Sequence, residues 1–168
     1  SPQGRNGNLG TGSSAPSWTN SGKFNKALSF DGNDYVNVSG GWLYSEQTVS
    51  LWAKDTWSSS SGMPISSLRW SDPDHDGFRF IGGTNKMTFS IYNNSYSEYS
   101  YDATVIGSDW HLFTMTWTTT NVKAYVDGEQ VNSTNKTNIF DYNTSDMDIG
   151  RYNYQDNGYF TGQIDEVQ

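Results

Sequence analysis

Between Trp110 and Val131 the chain reads WHLFTMTW, a polar TTTN, VKAYV, then Asp127-Gly128 and EQV. Alternation of apolar and polar residues has the period of a β-strand, and an Asp-Gly pair between two such runs favours the left-handed turn of a two-residue hairpin. No other stretch narrows the possible folds as much, and the rest of the chain repeats its pattern. Gln47 to Asp55 puts Val49, Leu51 and Ala53 on one side and Ser50 and Trp52 on the other, as in a strand with one buried face. PISSLRW, GFRFIGG and KMTFSIYN follow, with Phe78, Phe80, Met87, Phe89 and Ile91 at one parity. Arg79, Ser90 and Tyr92 hold the other parity and are expected on an outer face. Tyr96 to Ile106 alternates again. Ala27 to Val38, ALSFDGNDYVNV, places two short strands around a tight turn of Asp31, Gly32, Asn33 and Asp34. The oxygens of that turn suit either a solvated turn or a hard cation.

The remaining segments read as connections. Residues 1–22, with two Pro and five Gly, predict an irregular lead-in with at most one edge strand near Ser17 to Thr19, anchored by Trp18. NSTNKTN at 132–138 reads as a polar linker to two closing segments, DMDIGRYN and YFTGQIDEVQ. There is no solenoid-type repeat and no second domain, so 1–168 is expected to be one domain, all-β, of two antiparallel sheets. The chain starts at Ser1 and not at Met, and is expected to be an excised or processed piece of something longer.

Composition excludes several functions. A net charge of −8 with only ten Lys and Arg argues against a nucleic-acid partner, which needs a basic face. Cysteine is absent, which removes disulfides, thiolate catalysis and zinc-thiolate sites. No apolar run approaches the ~20 residues of a membrane-spanning helix, and no signal peptide is recognisable, so membrane insertion is not expected. N-x-S/T sequons occur at Asn37, Asn93, Asn132, Asn135 and Asn143. Asn, Ser and Thr are so common here that chance accounts for them.

The stretch ALSFDGNDYVNV, together with TVSLWAK at 48–54, WHLFTMTW through KAYVDGEQV at 110–131 and GQIDEV at 162–167, resembles the laminin-G-like, concanavalin A-like jelly-roll domains in the same order. The resemblance implies a two-sheet jelly-roll sandwich. Relatives run one stretch beyond the IDEV segment, which leaves the pairing of the last strand open. The fold hosts lectins, adhesion modules and glycan-cleaving enzymes alike. The resemblance implies an exported or cell-surface recognition module, extracellular and built into a larger protein, with a glycan or polysaccharide as partner. The alternative is a structural or adhesive module that binds a protein on a cell surface, such as a subunit of a surface filament or spike.

Catalysis is not expected. Glucanases of this architecture use Glu-x-Asp-x-Glu on a groove strand, with carboxylates about 5 Å apart. Here Gln163 stands where the nucleophile is needed, Glu166 falls on the opposite parity, and the segment lies at the chain terminus. For a metal, the resemblance implies a calcium ion where the first turn meets the IDEV segment, with Asp31, Asn33, Asp34 and Asp165 as ligands. Asp72 to Gly77 fits the first half of a calcium loop, D-x-D-x-D-G, but position twelve is Gly83 and not Glu, so an acidic tip between strands is expected there. For a ligand, seven Trp and eleven Tyr supply flat faces that stack on sugar C–H groups. Trp57, Trp70, Tyr92 and Tyr154 lie in loops or at polar parity and are the candidates for an exposed platform. Arg79 and His75 are the candidates for hydrogen bonds to hydroxyls.

Overall fold

The computed structural model describes residues 6–40, 44–55, 57, 62–71, 74–93, 97–105, 107–135, 146–155 and 157–168, and the backbone alone of 69–71, 74–76, 93 and 97–99. Fourteen strands occur among the described residues: β1 (Asn8–Leu9), β2 (Ser17–Thr19), β3 (Ala27–Asp31), β4 (Val36–Val38), β5 (Gln47–Lys54), β6 (Gly62–Ser71), β7 (Asp74–Gly83), β8 (Lys86–Asn93), β9 (Ser97–Thr104), β10 (His111–Trp117), β11 (Asn121–Val126), β12 (Glu129–Asn135), β13 (Met147–Ile149) and β14 (Thr161–Asp165). Helix among these residues is confined to the 3₁₀ turn Gly12–Ser14. Two antiparallel sheets result, which we call A and B. Sheet A runs β1-β4-β13-β6-β7-β8-β9 and sheet B runs β12-β11-β10-β5-β14-β3-β2. The architecture is the jelly-roll sandwich that the family resemblance implies.

Inward parity accounts for the core. Val49, Leu51 and Ala53 of β5 face Met115 and Phe113 of β10, and Val126, Ala124 and Val122 of β11 continue the row. Across the sandwich Phe78, Phe80, Met87, Phe89 and Ile91 are all buried, and Phe80 meets Phe89 edge-on with centroids 4.9 Å apart. Burying an aromatic or branched side chain contributes about 1.5 to 3 kcal/mol relative to leaving it exposed. The interior rows are therefore what hold the two sheets together. The Asp127-Gly128 hairpin forms as its residues demand, with φ of 52° and 84°. The Asp127 carboxylate accepts from the backbone N–H of Leu112 at 2.8 Å and pairs with His111 Nδ1 at 2.7 Å, which ties the turn to β10.

Several expectations need correction. The lead-in supplies two edge strands, β1 on sheet A and β2 on sheet B, and not an irregular segment with one at most. Trp18 is no anchor: it is 66% exposed, because β2 lies at the rim of sheet B with no further strand beside it among the described residues. Strand β12 runs on to Asn135 and takes in the start of the polar linker, because Asn121 Nδ2 donates to Ser133, Thr134 and Asn135 across the pair. The last strand sits inside sheet B, between β5 and β3. Its closure continues past Asp165, since Gln168 and Ser50 exchange both backbone hydrogen bonds.

Candidate functional site

The outward face of sheet A carries a second apolar cluster, separate from the core. The register aligns Leu68, Gly77 and Tyr92 in one row and Ser66, Arg79 and Ser90 in the next. Gly77 has φ of 146°, and a Cβ there would run into Leu68 Cα and Cδ2 at 2.7 Å. The bare glycine lets Leu68 and Tyr92 close over β7 from either side. Leu68, Tyr92 and Tyr152 are buried together, with Met63 packed against them.

The chain after β13 builds the other half. Asn153 extends its carboxamide beside β6 as a neighbouring strand would: its Oδ1 accepts from the Leu68 N–H and its Nδ2 donates to the Leu68 carbonyl, both at 2.9 Å. Ser66 Oγ donates to the Arg151 carbonyl at 2.9 Å. These bonds press Tyr152 onto the sheet. Arg79 then lies over two rings, with its guanidinium carbon 5.3 Å from the Tyr92 centroid and 5.5 Å from that of Tyr152. Tyr154 meets Tyr152 edge-on at 6.1 Å and is 43% exposed. A guanidinium over aromatic faces, next to an exposed phenol, offers a stacking face and hydrogen-bond donors together.

Of the six expected ligand residues, the structure gathers Arg79, Tyr92 and Tyr154 here. Trp70 and His75 form a cross-strand register pair two residues along from Leu68 and Gly77; their side chains lie outside the described set. Tyr92 is buried and not a free platform, and Ser90 is buried as well, because Tyr152 of the 150–155 segment packs on Tyr92 and Ser100 of β9 bonds Ser90, which closes what parity alone assigns to solvent. Trp57 is elsewhere. It is 1% exposed, dips from the loop after β5 into the core, and packs edge-on against Phe113 at 5.3 Å. Sequence reasoning missed Tyr152 and Asn153. The Tyr-x-Tyr spacing at 152–154 is the signal that could have found the first.

The calcium set does not come together. Asp31 is paired with Thr161 at the start of β14, whereas Asp165 lies at its end opposite Trp52. Four residues of strand separate them by roughly 13 Å, far more than one ion's shell spans. Both Asp165 oxygens are already engaged, Oδ2 with the Phe24 N–H and Oδ1 with the Glu166 N–H, each at 2.9 Å. Asp34 Oδ2 accepts from the Asp31 N–H at 2.9 Å and shapes the turn. Burial pushes the Asp34 carboxyl above its ordinary range, and the neighbouring Asp31 charge adds to the push while the Asp31 N–H opposes it. Asn33 is exposed on the turn. Among the described residues no three His, Cys, Asp or Glu are grouped to hold a metal ion. In the acidic half-motif, Asp74 to Gly77 belong to β7 and not to a loop; residues 72–73 lie outside the described set. Asp165→Ala is expected to cost about 1 to 3 kcal/mol, the penalty for unsatisfied backbone donors. Melts in chelator and in millimolar calcium should show the same loss; a loss seen only with calcium would restore Asp165 as a ligand.

Comparison with known proteins agrees with the fold. A family model described as the concanavalin A-like lectin/glucanases superfamily matches residues 30–168. No curated protein matches the chain in sequence. Among solved structures, the chain is similar to domain 4 of AbnA, a GH43 extracellular arabinanase from Geobacillus stearothermophilus, in complex with arabinotriose. The TM-score is 0.71 at 19% identity, over 91% of this chain and 73% of that one. It is similar to the binding domain of botulinum neurotoxin DC in complex with SialylT, with TM-score 0.69 and 15% identity over 97% of this chain and 42% of that one. The binding domain of botulinum neurotoxin serotype G gives TM-score 0.68 at 16% identity, over 98% and 43%. The chain thus spans less than half the length of those toxin domains. With the family model covering all but the first strands, and two seven-stranded sheets in the expected arrangement, the chain belongs to the concanavalin A-like lectin/glucanases superfamily.

Proposed function

We propose that the chain is a non-catalytic recognition module that binds glycan on the outward face of sheet A, as an extracellular or cell-surface part of a larger protein. The observation that carries this is the second aromatic cluster, in which Arg79 lies over Tyr92 and Tyr152 while Tyr154 stays open to solvent. Buried members fix the geometry and the exposed ring offers a face for a sugar. Similar structures bound to arabinotriose and to SialylT support a glycan partner. The arabinanase whose domain is similar is described as extracellular, which supports the location. A protein partner is the second reading, supported by a similar toxin binding domain in complex with rat synaptotagmin II.

A glycan array that includes arabino-oligosaccharides tests this. Tyr154→Ala is expected to weaken the best binder roughly two- to tenfold, the worth of one stacked ring, with a nearly unchanged melting temperature. Tyr152→Ala should lower both. Binding that survives Tyr154→Ala in full, or an array with no binder, would overturn the reading.

A further inference from the structure

A hollow lies between the two sheets where they open at the β2 edge. Trp18 is the most exposed large apolar side chain among the described residues, at 66%. Its neighbour in register is Leu28. Its flat face stands open beside the hollow, and an open indole face can stack on the C–H face of a sugar ring. The hollow measures about 180 Å³, with Leu28 and Ile164 from sheet B and Ile149 from sheet A among its walls, and Lys26 and Glu166 at its margin.

Glu166 supports the same reading independently. It adopts φ of 46°, a left-handed conformation that costs an ordinary residue roughly 1 to 2 kcal/mol. Its N–H is held by Asp165 Oδ1, and the chain resumes pairing with β5 at Gln168. The residue therefore bulges out of the strand and is exposed beside the hollow. Lys26 is exposed too.

We propose that this hollow is a second sugar subsite, with the ring of one glycan residue stacked on Trp18 and its hydroxyls bonded to Lys26 and Glu166. A sugar presents an apolar C–H face and a hydroxyl edge at once, which matches an indole face and apolar wall edged by one cation and one carboxylate. An apolar peptide side chain would use the wall and leave both charges idle. The proposal takes its ligand class from the glycan reading of sheet A, and would make the module bivalent, so that two modest sites add to one avidity.

The test is a titration of the ¹⁵N-labelled protein with arabinotriose, then with sialyllactose and cello-oligosaccharides, following the Trp18 indole N–H. That signal is expected to shift saturably with at least one sugar, in the wild type and equally in Tyr154→Ala. Trp18→Ala should weaken that sugar roughly two- to tenfold and leave the melt unchanged, Trp18→Tyr should retain most of the affinity, and Glu166→Gln should lose part of it. If the sheet A signals move and Trp18 does not, the second subsite is wrong and the first stands. If Trp18 moves while the sheet A signals stay still with every sugar, the sheet A reading fails and this one stands. A Trp18 shift that follows protein concentration and not sugar overturns the proposal in favour of self-association through the β2 edge, and a Trp18 signal unmoved by every sugar overturns it outright.

Discussion

Trp57→Ala is expected to lower the melting temperature by roughly 6 to 20 °C, and this despite the residue's place at the head of the serine-rich sequence WSSSSG. The side chain is 1% exposed and among the largest fully buried groups. It meets Phe113 at 5.3 Å and Phe160 at 6.5 Å, and so closes the core where β5 leaves sheet B. Truncating a buried Trp costs about 3 to 5 kcal/mol through lost transfer energy and the cavity left behind. In a domain of this size each kcal/mol moves the midpoint by about 2 to 4 °C. The indole Nε1 finds no hydrogen-bond partner among the described residues, so part of the gain from burying the ring is already offset. Trp57→Phe, which removes that N–H and keeps a ring, should accordingly cost less than half as much as Trp57→Ala. A thermal melt of Trp57→Ala that shifts by less than about 3 °C would put the residue back on the surface.

The second large effect is expected from Asp148→Ala. Asp148 is 1% exposed. Its Oδ2 accepts from Arg151 Nε at 2.6 Å and its Oδ1 from Asn37 Nδ2 at 2.8 Å. The Arg151 guanidinium in turn lies 3.6 Å from the Tyr35 ring centroid. Removing one partner of a buried pair leaves the other charge in a site from which water has been excluded, at a cost of about 3 to 5 kcal/mol. Because Arg151 also offers its carbonyl to Ser66, the same change loosens the Tyr152 to Tyr154 segment. Glycan binding should therefore fall along with stability, unlike in Tyr154→Ala. Arg151→Lys keeps the charge but loses the planar stack on Tyr35 and should fall between. A double-mutant cycle of Asp148→Ala with Arg151→Ala that gives a coupling under about 0.5 kcal/mol would show that the pair does not act as a unit.

The candidate site was half legible in advance. Arg79 and Tyr154 stand where polar parity and a loop position put them, whereas the cross-strand pairing of Trp70 with His75 was not legible, because 71–77 reads as an acidic loop and β7 begins already at Asp74. Tyr92 and Ser90 have the same parity as Arg79 yet are buried. Period two states which side of a strand a residue takes, and it is silent on whether that side meets water. Here a segment some sixty residues downstream decides that, through the Asn153 carboxamide on Leu68. The residues of the calcium set lie apart for a related reason. Asp31 and Asp165 belong to neighbouring strands, but the antiparallel register sets them at opposite ends of β14.

What the sequence by itself determined, then, is everything carried by short-range chemistry. Alternation marked the strands and their buried sides, Asp127-Gly128 required a left-handed hairpin, and the resemblance of four segments in order implied the jelly-roll sandwich. Tertiary structure alone decided which outward face is covered, that Trp57 plugs the core while Trp18 stands open, and which carboxylates meet. Those outcomes depend on contacts between residues far apart in the chain, whose free energy comes from excluding water jointly, and a local pattern carries no record of the partner.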